Sequence, residues 1–111
     1  MKSVLPEGYF IADPFHENLE NDYFDLRWRV LRAPWNQPRG TEKDEQESTS
    51  FHRLVKNEEG KVVACGRLQL NSPREAQIRY MAVDPEHRNL KLGAAIIHEL
   101  ESLATDAGAL G

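Results

Sequence analysis

With 111 residues and a mass of 12.7 kDa, the chain has room for one domain, expected to span residues 1–111. Fourteen Lys and Arg against eighteen Asp and Glu give a formal net charge of -4, and 40% of residues are hydrophobic, with a mean hydropathy of -0.64. These values exclude a disordered tail and a membrane span, and they argue against nonspecific attraction to a nucleic-acid backbone. Cys65 is the lone cysteine, so no internal disulfide can form, and Pro6 breaks the amino-terminal segment too early for a signal peptide. The expectation is a reducing, cytoplasmic location.

In chain order, Tyr9, Phe10, Ile11 and Ala12 predict a short first strand. Leu19, Tyr23, Leu26 and Val30 recur at helical steps and share one face of a helix, with Asn18 as N-cap and Pro34 closing the segment. Pro34, Pro38 and Gly40 turn residues 34–40 into an ordered surface loop. Residues 41–50 are polar and acidic and read as a solvated face or a short surface helix.

Residues 51–55 and 61–70 read as strands, joined by the hairpin chemistry of Asn57-Glu58-Glu59-Gly60. In the second of them, strict alternation places Val62, Ala64, Gly66, Leu68 and Leu70 on one face and Val63, Cys65, Arg67 and Gln69 on the other. An interior Gly66 marks a bulge or a close backbone approach. After a turn at Asn71-Ser72-Pro73-Arg74, residues 76–83 predict a further strand, with Ile78, Tyr80 and Ala82 alternating against Arg79, Met81 and Val83. Leu92, Ile96, Leu100, Leu103 and Ala107 then predict a helix entered at an Asn89 cap and stopped by Gly108. This order predicts an α+β domain: a three-layer αβα sandwich with a mixed, mostly antiparallel sheet flanked by helices.

Chemistry concentrates where the last strand turns into the last helix. A helix start leaves backbone N–H groups without intrahelical partners and carries about half a positive charge, so it suits an anion. Arg88 and Lys91 add two cations there, while Gly93 and Ala94 keep side-chain bulk away from a bound phosphate. The bland alternative is a solvated loop in which Gly93 only relieves helix packing. His52, His87, His98 and Cys65 lack the spacing of a metal site, so none is expected.

Val83, Pro85, Arg88, Gly93 and Ala94 stand in the order of a known signature: a strand ending in Val-x-Pro, then Arg/Gln-x-x-Gly-x-Gly/Ala opening a helix. The chain thereby resembles the GNAT superfamily of acetyl-CoA-dependent N-acetyltransferases, from about Tyr9 to its end. Lys91 departs from the pattern by taking the place of the first glycine, which makes the loop Arg-x-x-Lys-x-Gly. A bacterial subset of the family is similar at this point. Arg27-Trp28, Leu31-Arg32, Pro34 and Gln37-Pro38-x-Gly40 are similar to its first helix and following loop.

The resemblance implies transfer of an acetyl group from acetyl-CoA, as co-substrate, to a small-molecule or peptide amine by direct attack. Backbone groups of Met81 and Val83 would meet the pantetheine arm. Arg88, Asn89, Leu90, Lys91, Leu92, Gly93 and Ala94 would hold the pyrophosphate, mainly through N–H groups, with the Lys91 ammonium as a point charge. The base that such a reaction needs has Glu75, Asp44 and Glu45 as candidates, although an exposed structural role outweighs a catalytic one for each. The usual leaving-group acid is a tyrosine in a later helix, beyond Gly111, and no catalytic residue is assigned.

The family's remaining C-terminal strands are also expected to be missing, which leaves residues 76–83 as an open sheet edge through which a homodimer can form. No nucleic-acid or membrane partner is expected. Two other readings compete: a catalytically silent acyl-CoA-binding module with a regulatory or scaffolding role, and a protein interaction domain whose basic loop meets acidic side chains.

Overall fold

The computed structural model describes residues 5–107. Its elements are β1 (Tyr9–Ala12), α1 (Glu20–Leu31), β2 (Phe51–Asn57), β3 (Val62–Ser72), β4 (Glu75–Val83) and α2 (Leu92–Asp106). Short 3₁₀ turns lie at Ala33–Trp35, Glu47–Thr49 and Pro85–His87. The strands pair in the order β1-β2-β3-β4, and every pairing among the described residues is antiparallel. β4 is therefore an edge, paired there with β3 alone.

Each sheet face buries one helix, which is why the apolar periodicities of α1 and α2 are both visible in sequence. Tyr23 and Leu26 of α1 pack with Leu54, Val62, Cys65 and Ala82. Leu92, Ile96, Leu100 and Ala104 of α2 pack on the opposite face with Val55, Val63, Ala64 and Leu68. The result is three layers in an α+β arrangement. Between β2 and β3, Asn57 Oδ1 accepts hydrogen bonds from the N–H groups of Glu59 and Lys61 at 3.1 and 2.9 Å, and Gly60 takes φ +84°, as the turn chemistry demands.

Two of the three register shifts among the described residues of the sheet correct the strict alternation. Val55 pairs with Ala64 but Lys56 with Val62, so Val62 turns to the α1 side and Val63 to the α2 side, the reverse of the expected faces. Farther along, Cys65 pairs with Ala82 but Arg67 with Arg79, so Tyr80 and Met81 both stand opposite Gly66. Tyr80 takes the left-handed φ of 57° at this bulge. As a consequence Ile78 shares the α2 side with Met81 and Val83, and only Ala82 and Tyr80 keep the opposite face expected of their group. Gly66 makes this geometry possible: a Cβ there would collide with Met81 Sδ and lie 2.8 Å from Ile96 Cγ2.

Neither asparagine acts as the expected cap. Leu19 and Lys91 are the N-cap residues of α1 and α2, and no side chain caps either helix. Asn18 and Asn89 instead take φ of 58° and 70°, the left-handed region that asparagine tolerates, and turn the chain toward the helix that follows. Gly108 lies outside the described residues.

Candidate functional site

The β4–α2 junction forms a cleft of about 570 Å³ lined by Met81, Ala82 and Val83 of β4, His87, Arg88, Asn89 and Lys91 of the connecting loop, and Leu92 and Gly93 of α2. Val30 and Leu31 of α1 close its other wall. Asp84 fixes the loop: its N–H donates to the Val63 carbonyl at 2.8 Å, and its Oδ1 accepts from the Glu86 N–H at 2.9 Å. Asn89 and Lys91 both adopt left-handed backbone, which turns the chain sharply into α2. The Ala95 N–H donates to the Lys91 carbonyl at 3.2 Å, and among the described residues the N-cap makes no side-chain cap hydrogen bond at the helix start.

Seven of the nine expected site residues line this cleft. Leu90 is half-buried and packs on the α2 core, and Ala94 is exposed on the first turn outside the lining. Arg88 and Lys91 are exposed, as a phosphate-binding role requires. A Cβ on Gly93 would meet Met81 Cε at 3.5 Å and Val83 Cγ2 at 3.9 Å, ordinary contacts. Relief of helix packing therefore does not require glycine at this position. Val30, Leu31, Ala82 and His87 complete the cleft, and none of them is among the expected site residues. The His87 ring meets Tyr9 edge to face at 6.0 Å, and its buried Nδ1 lies 3.6 Å from Asp84 Oδ1 without a hydrogen bond.

Residues 41–50 carry a short helical turn at Glu47–Thr49, one of the two forms that their composition suggests, but they are not only a solvated face. Arg27 of α1 and Arg67 of β3 are fully buried, and this acidic segment folds over them. Arg67 donates from Nη1 to Asp44 Oδ1 at 2.7 Å and to Glu47 Oε2 at 2.9 Å, and from Nη2 to Asp44 Oδ2 at 3.0 Å. Arg27 Nη1 reaches the same Glu47 oxygen at 2.8 Å and the Glu42 carbonyl at 2.9 Å. Two buried cations meet two carboxylates, which burial of charge demands. His52 joins through Tyr23, with Tyr23 Oη and His52 Nδ1 2.7 Å apart, and burial holds its pKa below the usual histidine value.

These contacts also bear on the three carboxylates considered as bases. The Arg67 guanidinium, bonded to both oxygens of Asp44, holds that carboxyl at about 2, too weak a base to take a proton from an ammonium group near neutral pH. Glu45 is exposed, and Glu75 is exposed at the far end of β4, where Asn71 Nδ2 donates to it at 3.3 Å. Cys65 is buried without a disulfide, and burial pushes its thiol up to about 12. Among the described residues no three or more His, Cys, Asp or Glu come together to hold a metal ion.

Residues 20–110 match the family described as the Acetyltransferase (GNAT) family. The chain belongs to this family. Solved structures extend the likeness to the whole fold. A GCN5-related N-acetyltransferase from Kribbella flavida superposes with a TM-score of 0.68 at 13% identity, covering 97% of this chain and 40% of its own. A GNAT-family acetyltransferase from Staphylococcus aureus gives 0.69 at 17% identity, covering 88% and 66% respectively. A Mycobacterium tuberculosis protein solved in complex with CoA gives 0.66 at 21% identity, covering 90% and 60%. This GNAT chain thus spans less than two thirds of the length of each of the three. Among the described residues no helix is long and apolar enough to cross a membrane.

Proposed function

We propose that the cleft at the β4–α2 junction binds acetyl-CoA, and that the protein transfers the acetyl group to an amine by direct attack. One observation carries this reading: the start of α2 has no side-chain cap, is entered through left-handed Asn89 and Lys91, and opens into a cleft walled by the free edge of β4. Membership of the acetyltransferase family and the CoA complex of a structural neighbour support the choice of ligand.

In this reading the N–H groups of residues 88–94 bind the pyrophosphate, helped by the helix dipole and by the Arg88 and Lys91 charges. Unpaired main-chain groups of Met81 and Val83 on the edge of β4 take the pantetheine amides in the manner of an added strand. The neutral amine nitrogen forms a bond to the acetyl carbonyl carbon as the carbon–sulfur bond breaks, and the proton lost from nitrogen ends on the CoA thiolate. Where acetyl-CoA does not occupy it, the same edge is the surface we propose for pairing with a second copy of the chain, and we propose a cytoplasmic location.

Backbone amide resonances followed during titration with acetyl-CoA test the reading. Residues 88–94 and 81–83 are expected to shift together and to saturate, and thiol release over an amine panel is expected to follow. Resonances that stay in place at saturating acetyl-CoA overturn it.

A further inference from the structure

We infer that the acceptor amine carries an anionic group, a carboxylate or a phosphate, and that Arg32 and Arg79 bind it beside Tyr80; this rests on reading the neighbouring cleft as the acetyl-CoA site. Tyr80 precedes Met81, a residue of the cleft wall, and its ring gathers guanidinium groups. Arg27 and Arg67 lie 4.4 and 4.6 Å from the ring centroid, and Arg79 and Arg32 lie 5.4 and 5.6 Å from it. The first two are buried and charge-matched by Glu47 and Asp44.

The second two are not matched. Among the described residues no carboxylate lies within ion-pair distance of Arg32 or Arg79. Arg32 Nε donates to the Thr41 carbonyl at 2.9 Å, and Arg79 is exposed on the β4 edge strand. Two unmatched guanidinium groups thus converge on one ring in a chain whose net charge is -4.

A recess of about 530 Å³ opens at Arg32, lined by Leu31, Arg32, Trp35, Gln37 and Thr41, and Arg79 is tied to it through the Tyr80 ring that both guanidinium groups approach. Leu31 also lines the proposed acetyl-CoA cleft, so the two spaces share one lining residue. Trp35 is 76% exposed and offers an aromatic face at the recess. Guanidinium groups match the planar, bidentate geometry of carboxylates and phosphates. Their charge also favours the deprotonated state of a nearby amine, the form that attacks. Fixing the anionic end orients the amine on the acetyl carbon, where positioning contributes most.

Two matched pairs of acceptors test the inference: phenylalanine against phenylalaninamide, and phosphoethanolamine against ethanolamine, with acetyl-CoA binding measured in parallel by calorimetry. The acidic member of one pair is expected to exceed its neutral partner in kcat/KM by about tenfold, a preference that shrinks as salt is added. Which pair shows it separates carboxylate from phosphate. Arg79→Gln and Arg32→Gln are each expected to abolish most of the preference while acetyl-CoA affinity holds, and Arg79→Lys to retain part of it. Acids that react no faster than their neutral partners, a panel that does not react, or a preference that survives both Gln variants overturns the inference. In those cases acetyl-CoA binding leaves the reading of the cleft intact, whereas its absence removes both.

Discussion

Lys91 holds a left-handed backbone, φ 60°, at the N-cap of α2. A side chain in that conformation costs about 1–2 kcal/mol relative to glycine, which a glycine would return less roughly 0.5–1 kcal/mol of its own chain entropy. Backbone geometry alone therefore gives no reason for lysine, and its ammonium beside the proposed pyrophosphate supplies one. Lys91→Gly is expected to leave the melting temperature unchanged or slightly raised while weakening acetyl-CoA binding about two- to fivefold, the range of one exposed charge at a helix start. The weakening is expected to diminish at high salt. Calorimetric titration at two salt concentrations measures it. Equal or tighter binding by the variant would leave the lysine without a role in the site.

At the level of elements, the β3–β4 bulge links the sheet to the cleft. Gly66 sits under Met81 and Ile96, so β3 can approach both β4 and α2 only without a Cβ at that position. Gly66→Ala is expected to destabilise the fold by about 1–3 kcal/mol, since the branched Ile96 methyl cannot swing away and Met81 must move into the cleft that it lines. Thermal unfolding and acetyl-CoA titration of the variant are expected to show both losses together. A variant as stable as the parent would refute the close packing.

The sequence announced that glycine as a bulge or close approach, because glycine inside a strand is a local signal. It could not announce which residues change face. A bulge is a count of residues on one strand against those on its partner, so Val62, Val63 and Ile78 were assigned by an alternation that long-range pairing interrupts. The α2 start was legible for the opposite reason: its charges, small residues and turn all lie within one short segment. The clamp made by the acidic run 41–50 is invisible in sequence because its partners, Arg27 and Arg67, are 20 positions away from Glu47 in either direction and only the fold brings them together. At Asn18 and Asn89 the property that matters is tolerance of left-handed backbone, which cap statistics for asparagine do not separate from side-chain capping.

Across the whole molecule, that acidic run ties α1, β2 and β3 together through groups that titrate, so stability must depend on pH. Hydrogen bonding to Arg67 sets the Asp44 carboxyl at about 2 in the folded chain, against 3.8 ordinarily. A depressed carboxyl stabilises above its unfolded pKa and loses that contribution as pH falls toward 2. With solvent screening of the partly exposed carboxylate, the contribution is on the order of 1 kcal/mol. Burial lowers the His52 pKa below 6.5, so the folded state resists a proton that the unfolded state accepts. Its contribution is complete above pH 6.5 and is lost as pH falls below that value, the same direction as Asp44 but in an earlier window. The melting temperature is therefore expected to be level above about pH 7 and to decline in two stages, one below about pH 6.5 and one below about pH 4. Circular dichroism melts from pH 8 to pH 2 measure the profile. Asp44→Asn is expected to lower stability near neutral pH and to flatten the second stage while leaving the first. A profile with no first stage would mean that burial does not hold His52 neutral, and an Asp44→Asn profile parallel to that of the parent would mean that the Arg67 clamp does not hold Asp44 ionised.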